Sequence, residues 1–188
     1  MNISETDICN AALRLIRARP IGNLDDNEPN AAQCRFFYSI IRSVVFRSHP
    51  WKCIAKQATL ETATTAPQFG FSYAYPLPGD YVRMIGMDDP QEGYRVYGGK
   101  VIHTDAAPAY IDYVPLELDT TKYSAELVRC LYLNLAYELA FGITGDAKIA
   151  ETIRLDLEKF FLPIARMTDS VERGARTFVA DTFTELFE

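Results

Sequence analysis

The sequence contains few of the residues from which enzyme active sites are most often built. Its 188 residues include two histidines, four cysteines and one tryptophan. Neither His49 nor His103 stands beside a nucleophile motif. We therefore expect no enzymatic activity, no catalytic residues and no cofactor.

The cysteines also lack the spacing of a zinc site. Cys9, Cys34, Cys53 and Cys130 follow one another at intervals of 25, 19 and 77 residues, whereas zinc ligands come in pairs a few residues apart. Three of them stand among apolar residues of predicted helices, which favours buried thiols in a reducing compartment. No metal site is predicted.

Long uncharged apolar runs are missing as well. The most apolar stretch, 125–141, contains Arg129 and Glu138 and is too short to cross a bilayer. The first residues do not show a basic start followed by an apolar segment, which is the pattern of a signal peptide. We expect no association with membranes.

Positive charge is scarce and unevenly placed. The chain has 19 Lys and Arg against 25 Asp and Glu, a net charge of -6. Residues 1–56 carry eight basic and five acidic side chains, and residues 57–188 carry eleven and twenty. Because proteins grip nucleic acid through cationic contacts with phosphates, this balance argues against that function.

What the sequence does contain is enough apolar residues, 48%, for one globular domain, which we place at residues 1–166. Apolar residues recur with helical spacing in four stretches. The predicted helices are 4–19, 29–48, 124–142 and 146–166. The apolar stripe of the last one is Ile149, Ile153, Leu157, Phe160, Phe161 and Ile164. The third is apolar nearly all round, which predicts a buried central helix. The second is apolar on two sides, which predicts two partners, such as the central helix and a strand layer.

Between these helices the period changes from helical to alternating. Residues 52–115 predict a small antiparallel sheet, with a tight hairpin at Gly98-Gly99. The predicted class is therefore α+β: a bundle of about four helices with an inserted sheet and an extended C-terminal tail. A break at Gly142-Ile143-Thr144-Gly145 separates the last two helices.

The predicted sheet is rich in tyrosine, and aromatic side chains of a sheet can stack on single-stranded nucleic acid. Few Lys or Arg residues interleave with these tyrosines in the sequence, so sheet packing or a protein interface is favoured. A binding module built on the aromatic sheet stays open as an alternative. The tyrosines are Tyr73, Tyr75, Tyr81, Tyr94, Tyr97, Tyr110 and Tyr113.

Residues 167–188 differ from the rest of the chain, because they are polar at first and then apolar. We predict an interaction tail that docks on another subunit or another protein, with docking on its own domain as the alternative. The residues expected to make the contact are Phe178, Val179, Phe183, Leu186 and Phe187.

Several short motifs, in their order along residues 4 to about 165, resemble those of head-to-tail adaptor proteins of tailed bacteriophages, of the tail tubular protein A type. The motifs are Ile8-Cys9-Asn10-Ala11-Ala12-Leu13, Ala18-Arg19-Pro20-Ile21, Leu24-Asp25-Asp26, His49-Pro50-Trp51, Tyr73-Ala74-Tyr75-Pro76-Leu77-Pro78, Asp80-Tyr81-Val82-Arg83 and Ile143-Thr144-Gly145.

The resemblance implies a structural virion protein without enzymatic activity. It implies a homo-oligomeric ring, commonly dodecameric, that sits between the portal protein and the tail tube or nozzle at the head–tail junction. Such a ring lines the channel through which DNA leaves during genome ejection, without binding it specifically. The resemblance further implies synthesis in the cytoplasm of the host bacterium. Another phage assembly or tail-completion factor is the alternative.

A ring requires a heterologous interface, in which one patch of a subunit meets a different patch on the next. The candidates for these two patches are charged residues of opposite sign. One set lies off the apolar stripe of helix 146–166, and the other set is arginines of the first helix. The alternative is that each set simply faces solvent. These candidates are Lys148, Glu151, Arg154 and Glu158 on one side, and Arg14 and Arg17 on the other.

Overall fold

The structure is a computed structural model that describes residues 3–61 and 65–171. It has the α+β class predicted from the sequence. Within the described residues the chain forms four helices, of which the last is interrupted by a π turn at Leu157–Phe161. The helical segments are α1 Glu5–Leu15, α2 Pro29–Ser48, α3 Ala125–Thr144, α4 Ala147–Asp156 and α5 Leu162–Val171.

Helix α3 is the centre of the helical layer, as predicted. It contacts α1, α2 and α4. Its leucines at four-residue spacing are almost fully buried, and each contributes roughly 1.5–3 kcal/mol through burial. These leucines are Leu127, Leu131, Leu135 and Leu139.

Helix α1 begins as its sequence predicts but ends earlier. Ser4 and Asp7 form a reciprocal capping box at its start. The prediction that the helix extends to residue 19 is wrong, because the chain turns at Arg17, which has a φ of 57°. The Ala18 N–H donates to the Leu13 carbonyl at 2.9 Å, and the Arg17 N–H donates to the Arg14 carbonyl at 3.1 Å. This is a Schellman cap, here without its usual glycine.

Helix α2 has the predicted bounds. Pro29 occupies its first turn, where the missing N–H is not needed. At its other end, His49 is extended before Pro50. Trp51 is fully buried, and its Nε1–H donates to the Val45 carbonyl at 2.8 Å. The indole therefore ties the chain that leaves α2 back to the helix.

The inserted strands form two three-stranded antiparallel sheets, so the prediction of one sheet is wrong. The orders are β1-β6-β3 and β2-β5-β4. Alternation along a strand shows which side chains share a face, but it does not name the neighbouring strand. The strands are β1 Lys56–Leu60, β2 Tyr73–Pro76, β3 Tyr81–Met87, β4 Tyr94–Tyr97, β5 Val101–Thr104 and β6 Ala109–Pro115.

The hairpin predicted at Gly98-Gly99 is confirmed. It joins β4 to β5, and the two glycines have φ values of 58° and 65°. Both central residues of such a tight turn need positive φ, which glycine adopts without steric cost.

The break between α3 and α4 is shorter than predicted. Gly142 is still helical, and the helix ends only at Gly145, which has a φ of 69° and donates its N–H to the Phe141 carbonyl. Asp146 then caps α4 by accepting from the Lys148 N–H at 2.8 Å. One left-handed residue is therefore enough to reverse the chain.

The π turn changes which residues of the last helix face α3. Ile153 and Leu157 are buried as predicted, whereas Ile164, predicted on the same stripe, is exposed. A π turn adds one residue and rotates everything after it. Arg129 of α3 stacks on the Phe161 ring, 3.4 Å from its centroid, and holds the turn in place. The helix also continues to Val171, beyond the predicted end at residue 166.

A buried carboxylate organises the connection from β6 to α3. Glu117 accepts the N–H groups of Leu118 and Asp119 on one oxygen and Lys122 Nζ, at 2.7 Å, on the other. The hydrogen bond from Lys122 holds the pKa of Glu117 below its ordinary value of 4.5. The acidic residues near the start of α3 thus include one with a structural role.

We expect opposite effects from alanine at Gly142 and at Gly145. Gly142→Ala should raise the free energy of unfolding by about 0.5–1 kcal/mol, because alanine favours a helix interior and the space is open. Gly145→Ala should lower it by about 1–2 kcal/mol, because alanine is strained at positive φ. Urea unfolding followed by the fluorescence of Trp51 measures both. Equal effects at the two positions would contradict this ending of α3.

Replacing Glu117 by glutamine should lower the free energy of unfolding by about 1–2 kcal/mol at neutral pH, because charged hydrogen bonds are lost. Since the folded pKa of Glu117 is below the unfolded one, its contribution is present above the unfolded pKa and is lost as pH falls through the folded pKa. Glu117→Gln should therefore weaken the loss of stability in acid. Glu138→Gln, at an exposed position of α3, is the control and should leave the pH profile unchanged.

Candidate interaction surfaces

Helix α2 carries an apolar stripe on the face that points away from the core. Phe36, Ile40 and Val44 are 62%, 46% and 55% exposed, although they stand four residues apart on one face of the helix. The opposite face buries Tyr38, Ile41 and Val45 against the core that contains α3. The prediction that α2 has two partners, such as the central helix and a strand layer, is confirmed: α2 contacts α3 and also β3 and β6, and Phe46 is buried. Within the described residues, Phe36, Ile40 and Val44 are left uncovered.

Arginines extend this stripe beyond the end of α2. Arg47 follows Val44 on the same face and lines an open groove of about 600 Å³ together with Arg83 of β3 and Arg95 of β4. Tyr81 and Tyr94 line the same groove. No carboxylate is among the groove's described lining residues, so its charge is positive.

The groove is held in place by a contact between α2 and β3. Arg83 Nη1 donates to the Arg47 carbonyl at 2.9 Å, which satisfies a carbonyl near the end of α2. Burial raises the pKa of Tyr81, while the charges of Arg47 and Arg83 act in the opposite direction. The stripe and the groove form one continuous surface, made of Phe36, Ile40, Val44, Arg47, Arg83 and Arg95, which we call the α2–arginine surface.

The acidic and basic residues predicted for a subunit interface are only partly brought together. Arg154 binds Glu151 at 2.8 Å and Glu158 at 3.4 Å along one face of the last helix. Its hydrogen bond lowers the pKa of Glu151. These three residues therefore form a network within one helix. Such exposed pairs contribute little to stability, and they stay accessible to a partner.

The other candidates of this interface lie apart from that network. The Lys148 side chain is exposed near the start of α4, and Arg14 and Arg17 are exposed at the end of α1. No ion pair joins the arginines to the α4 carboxylates among the described residues. That these charged residues form an interface between subunits stays a prediction.

The residues predicted to make the contact of the tail lie outside the described residues. They are Phe178, Val179, Phe183, Leu186 and Phe187.

The tyrosines of the sheets divide between core and surface. Tyr75 and Tyr113 are buried, and the Tyr113 hydroxyl donates to Asp80, which also binds Lys56 at 3.0 Å. Burial acts to raise the pKa of Asp80, but these two hydrogen bonds hold it below its ordinary value. Tyr73, Tyr94, Tyr97 and Tyr110 are exposed and available to a partner.

The following two statements hold for residues 3–61 and 65–171. No group of three or more His, Cys, Asp or Glu side chains there could hold a metal ion. In the same residues, no helix has both the length and the apolar content that a membrane span requires.

Asp25 and Asp26 lie in a turn in which the Asp26 side chain accepts the Asn23 N–H at 2.7 Å and the Asn23 side chain accepts the Asp25 N–H.

No protein family matches the sequence, and no curated protein is similar enough to it to count as a relative.

Sequence reasoning missed the α2–arginine surface for an identifiable reason. Arg83 and Arg95 stand next to or near tyrosines in the sequence, which is a local signal for a mixed aromatic and basic patch. Arg47, however, comes from α2, 36 residues before Arg83, and joins them only through the tertiary fold. Basic residues are therefore scarce beside the tyrosines along the sequence, but the fold brings Arg47 next to them at the surface.

Alanine at two adjacent positions of α2 should have very different effects in the dilute, isolated chain. Ile41 is only 6% exposed, so Ile41→Ala should lower the free energy of unfolding by about 2–4 kcal/mol. Ile40→Ala should change it by about 0.5 kcal/mol or less, because Ile40 contacts solvent. Urea unfolding followed by Trp51 fluorescence compares them. A large loss at Ile40 would mean that the chain covers its own stripe.

Proposed function

We propose that the chain is a head-to-tail adaptor of a tailed bacteriophage: a structural protein that forms a ring between the portal protein and the tail tube or nozzle. The ring, commonly dodecameric in such adaptors, lines the channel through which DNA leaves the virion. The protein is not an enzyme in this proposal. Residues 1–166 form the adaptor domain with its helical bundle, and residues 167–188 form the interaction tail.

The structural observation that best supports the proposal is the exposed stripe of α2. Phe36, Ile40 and Val44 are exposed next to one another on one helix face, and contiguous apolar patches of this kind mark protein interfaces. Their exposed area is smaller than one side of a standard interface, so it would form the apolar centre of a larger, polar-rimmed contact. Repeated contacts between copies are what a ring requires.

The motifs that carry the resemblance also have structural roles in this fold. Asn10 exchanges two hydrogen bonds with the backbone of Ile21, which joins α1 to the following loop. Trp51 anchors the end of α2, and Asp80 links β3 to β1 and β6 through Lys56 and Tyr113. The resemblance thus rests on residues that tie α1 to its following loop, fix the end of α2 and join strands of one sheet, which are structural roles in this fold.

A binding module for nucleic acid is the second candidate, because Arg47, Arg83 and Arg95 stand beside Tyr81 and Tyr94. Arginine and exposed aromatic rings are the combination that single-stranded nucleic acid binders use. The net charge of -6 weighs against this candidate. Binding of single-stranded DNA that weakens steeply with salt would favour it over the adaptor.

The adaptor proposal predicts stoichiometric co-sedimentation of the purified chain with the portal ring of its own virus. A variant that lacks residues 174–188 should lose this binding, because the apolar residues of the tail are removed. Binding that survives truncation would keep the adaptor and place its portal contact elsewhere. No binding by a stable, folded monomer would contradict the adaptor and leave a tail-completion factor or a binding module.

A further inference from the structure

Two strand edges line the groove of the α2–arginine surface. β3 is the outer strand of the sheet β1-β6-β3, β4 is the outer strand of the sheet β2-β5-β4, and residues of both strands line the groove. Among residues 3–61 and 65–171, β3 pairs with β6 alone and β4 with β5 alone. An outer strand presents backbone N–H and C=O groups that its own sheet leaves unpaired, and these are a template for an added extended peptide.

Of these two edges, β4 is the one that is open to a further strand. In β3, the backbone of Met84 is hydrogen-bonded to the Tyr81 hydroxyl, and Arg83 ties the strand to the end of α2. In β4, three of the four residues are exposed. β4 also lacks a proline such as the one that ends β2, and proline cannot donate to a strand ladder.

The two faces of β4 offer different contacts to a neighbouring strand. Val96 lies opposite the fully buried Ile102, and both belong to a core shared by the two sheets. Arg95 is exposed on the other face. In β3, Met84 packs on the same core, and Arg83 precedes it. Because successive side chains of a strand alternate between its faces, the strand that suits this edge has apolar residues at every second position.

The arginines determine the charge of the residues in between. In the part of the chain that the structure describes, Arg47, Arg83 and Arg95 form no ion pair, and the lining of the groove contains no carboxylate. Arginine binds a carboxylate through two parallel hydrogen bonds. A strand that places carboxylates on this face would therefore supply the partners that the arginines lack.

We infer that β4 binds an extended acidic segment of a partner protein as an added strand, in the order partner-β4-β5-β2. The apolar side chains of the segment lie over Val96 and Met84, and its carboxylates meet Arg47, Arg83 and Arg95. The inference goes beyond the proposed function, because it assigns a recognition site for a peptide that the adaptor role does not require.

A peptide fits this groove better than single-stranded nucleic acid for two reasons. Only a peptide carries the regular N–H and C=O groups that continue the ladder of β4. In addition, the loop that joins β3 to β4 contains Asp88, Asp89 and Glu92. These carboxylates would repel a phosphate backbone that continues past the groove.

The test titrates the ¹⁵N-labelled full chain with a capped peptide of about nine residues, the length of a long strand, in which glutamate and valine alternate. We expect the amide resonances of residues 94–97 to shift. The β4 amides that do not donate to β5 should exchange their hydrogens about tenfold more slowly, because the added strand accepts them. The same peptide with N-methylated amides keeps its charges but cannot donate to β4, and it should bind about tenfold more weakly.

Charge reversal tests the part of the arginines. Arg47→Glu with Arg95→Glu should weaken binding of the glutamate peptide about tenfold, because attraction becomes repulsion at both positions. Arg83 is kept, since it holds the Arg47 carbonyl. A peptide with lysine in place of glutamate should bind this double variant more tightly than the unchanged chain, which damage to the fold would not produce. Arg19→Glu, an exposed position outside the groove, should leave binding unchanged.

The outcomes separate this inference from the proposed function. Absence of shifts in β4, or equal binding of the N-methylated peptide, would overturn the inference. So would oligothymidylate that shifts the groove resonances and binds more tightly than the peptide, since the groove would then belong to nucleic acid. Stoichiometric binding to the portal ring would uphold the adaptor in each of these cases. A chain that binds the peptide but not the portal ring would contradict the adaptor alone.

Discussion

Burial of α3 is the constraint on which the rest of the structure depends. Four of its leucines, at 127, 131, 135 and 139, are almost inaccessible to solvent, and their burial requires neighbours on several sides of the helix. α1, α2 and α4 supply them. Each of these helices needs only one apolar face for this purpose. α2 also packs on β3 and β6, but the described residues leave Phe36, Ile40 and Val44 uncovered, and these three side chains point to a partner.

The sequence was informative where structure follows from short-range periodicity. The bounds of α2 and the position of the Gly98-Gly99 turn follow from local rules of helix starts and hairpins. The central position of α3 follows from its apolar surface. The end of α1 does not follow from such local rules, because Arg17 adopts a left-handed conformation that glycine usually adopts. The π turn at residues 157–161 has no clear local signal, and it rotates Ile164 out of the predicted stripe.

Contacts between distant parts of the chain were the least predictable. The strands were found, but their division into two sheets depends on which strands pair, and alternation does not specify this. The candidate site shows the same limit. Glu151, Arg154 and Glu158 were recognised together because they share one helix, whereas Arg47, Arg83 and Arg95 meet through the packing of α2 against the sheets. A composition that is acidic overall concealed a locally basic groove.

The distribution of charge also bears on the symmetry of any assembly. Two copies that met through the same α2–arginine surface would place their arginines opposite one another, and like charges across an interface cost free energy. A twofold contact of this surface with itself is therefore disfavoured. A contact between the basic surface of one copy and a different, acidic part of the next has a direction, and it leaves the first copy with an unused acidic part and the second with an unused basic surface. Repetition of such a contact gives a closed ring or an open filament, and the angle between successive copies decides between the two.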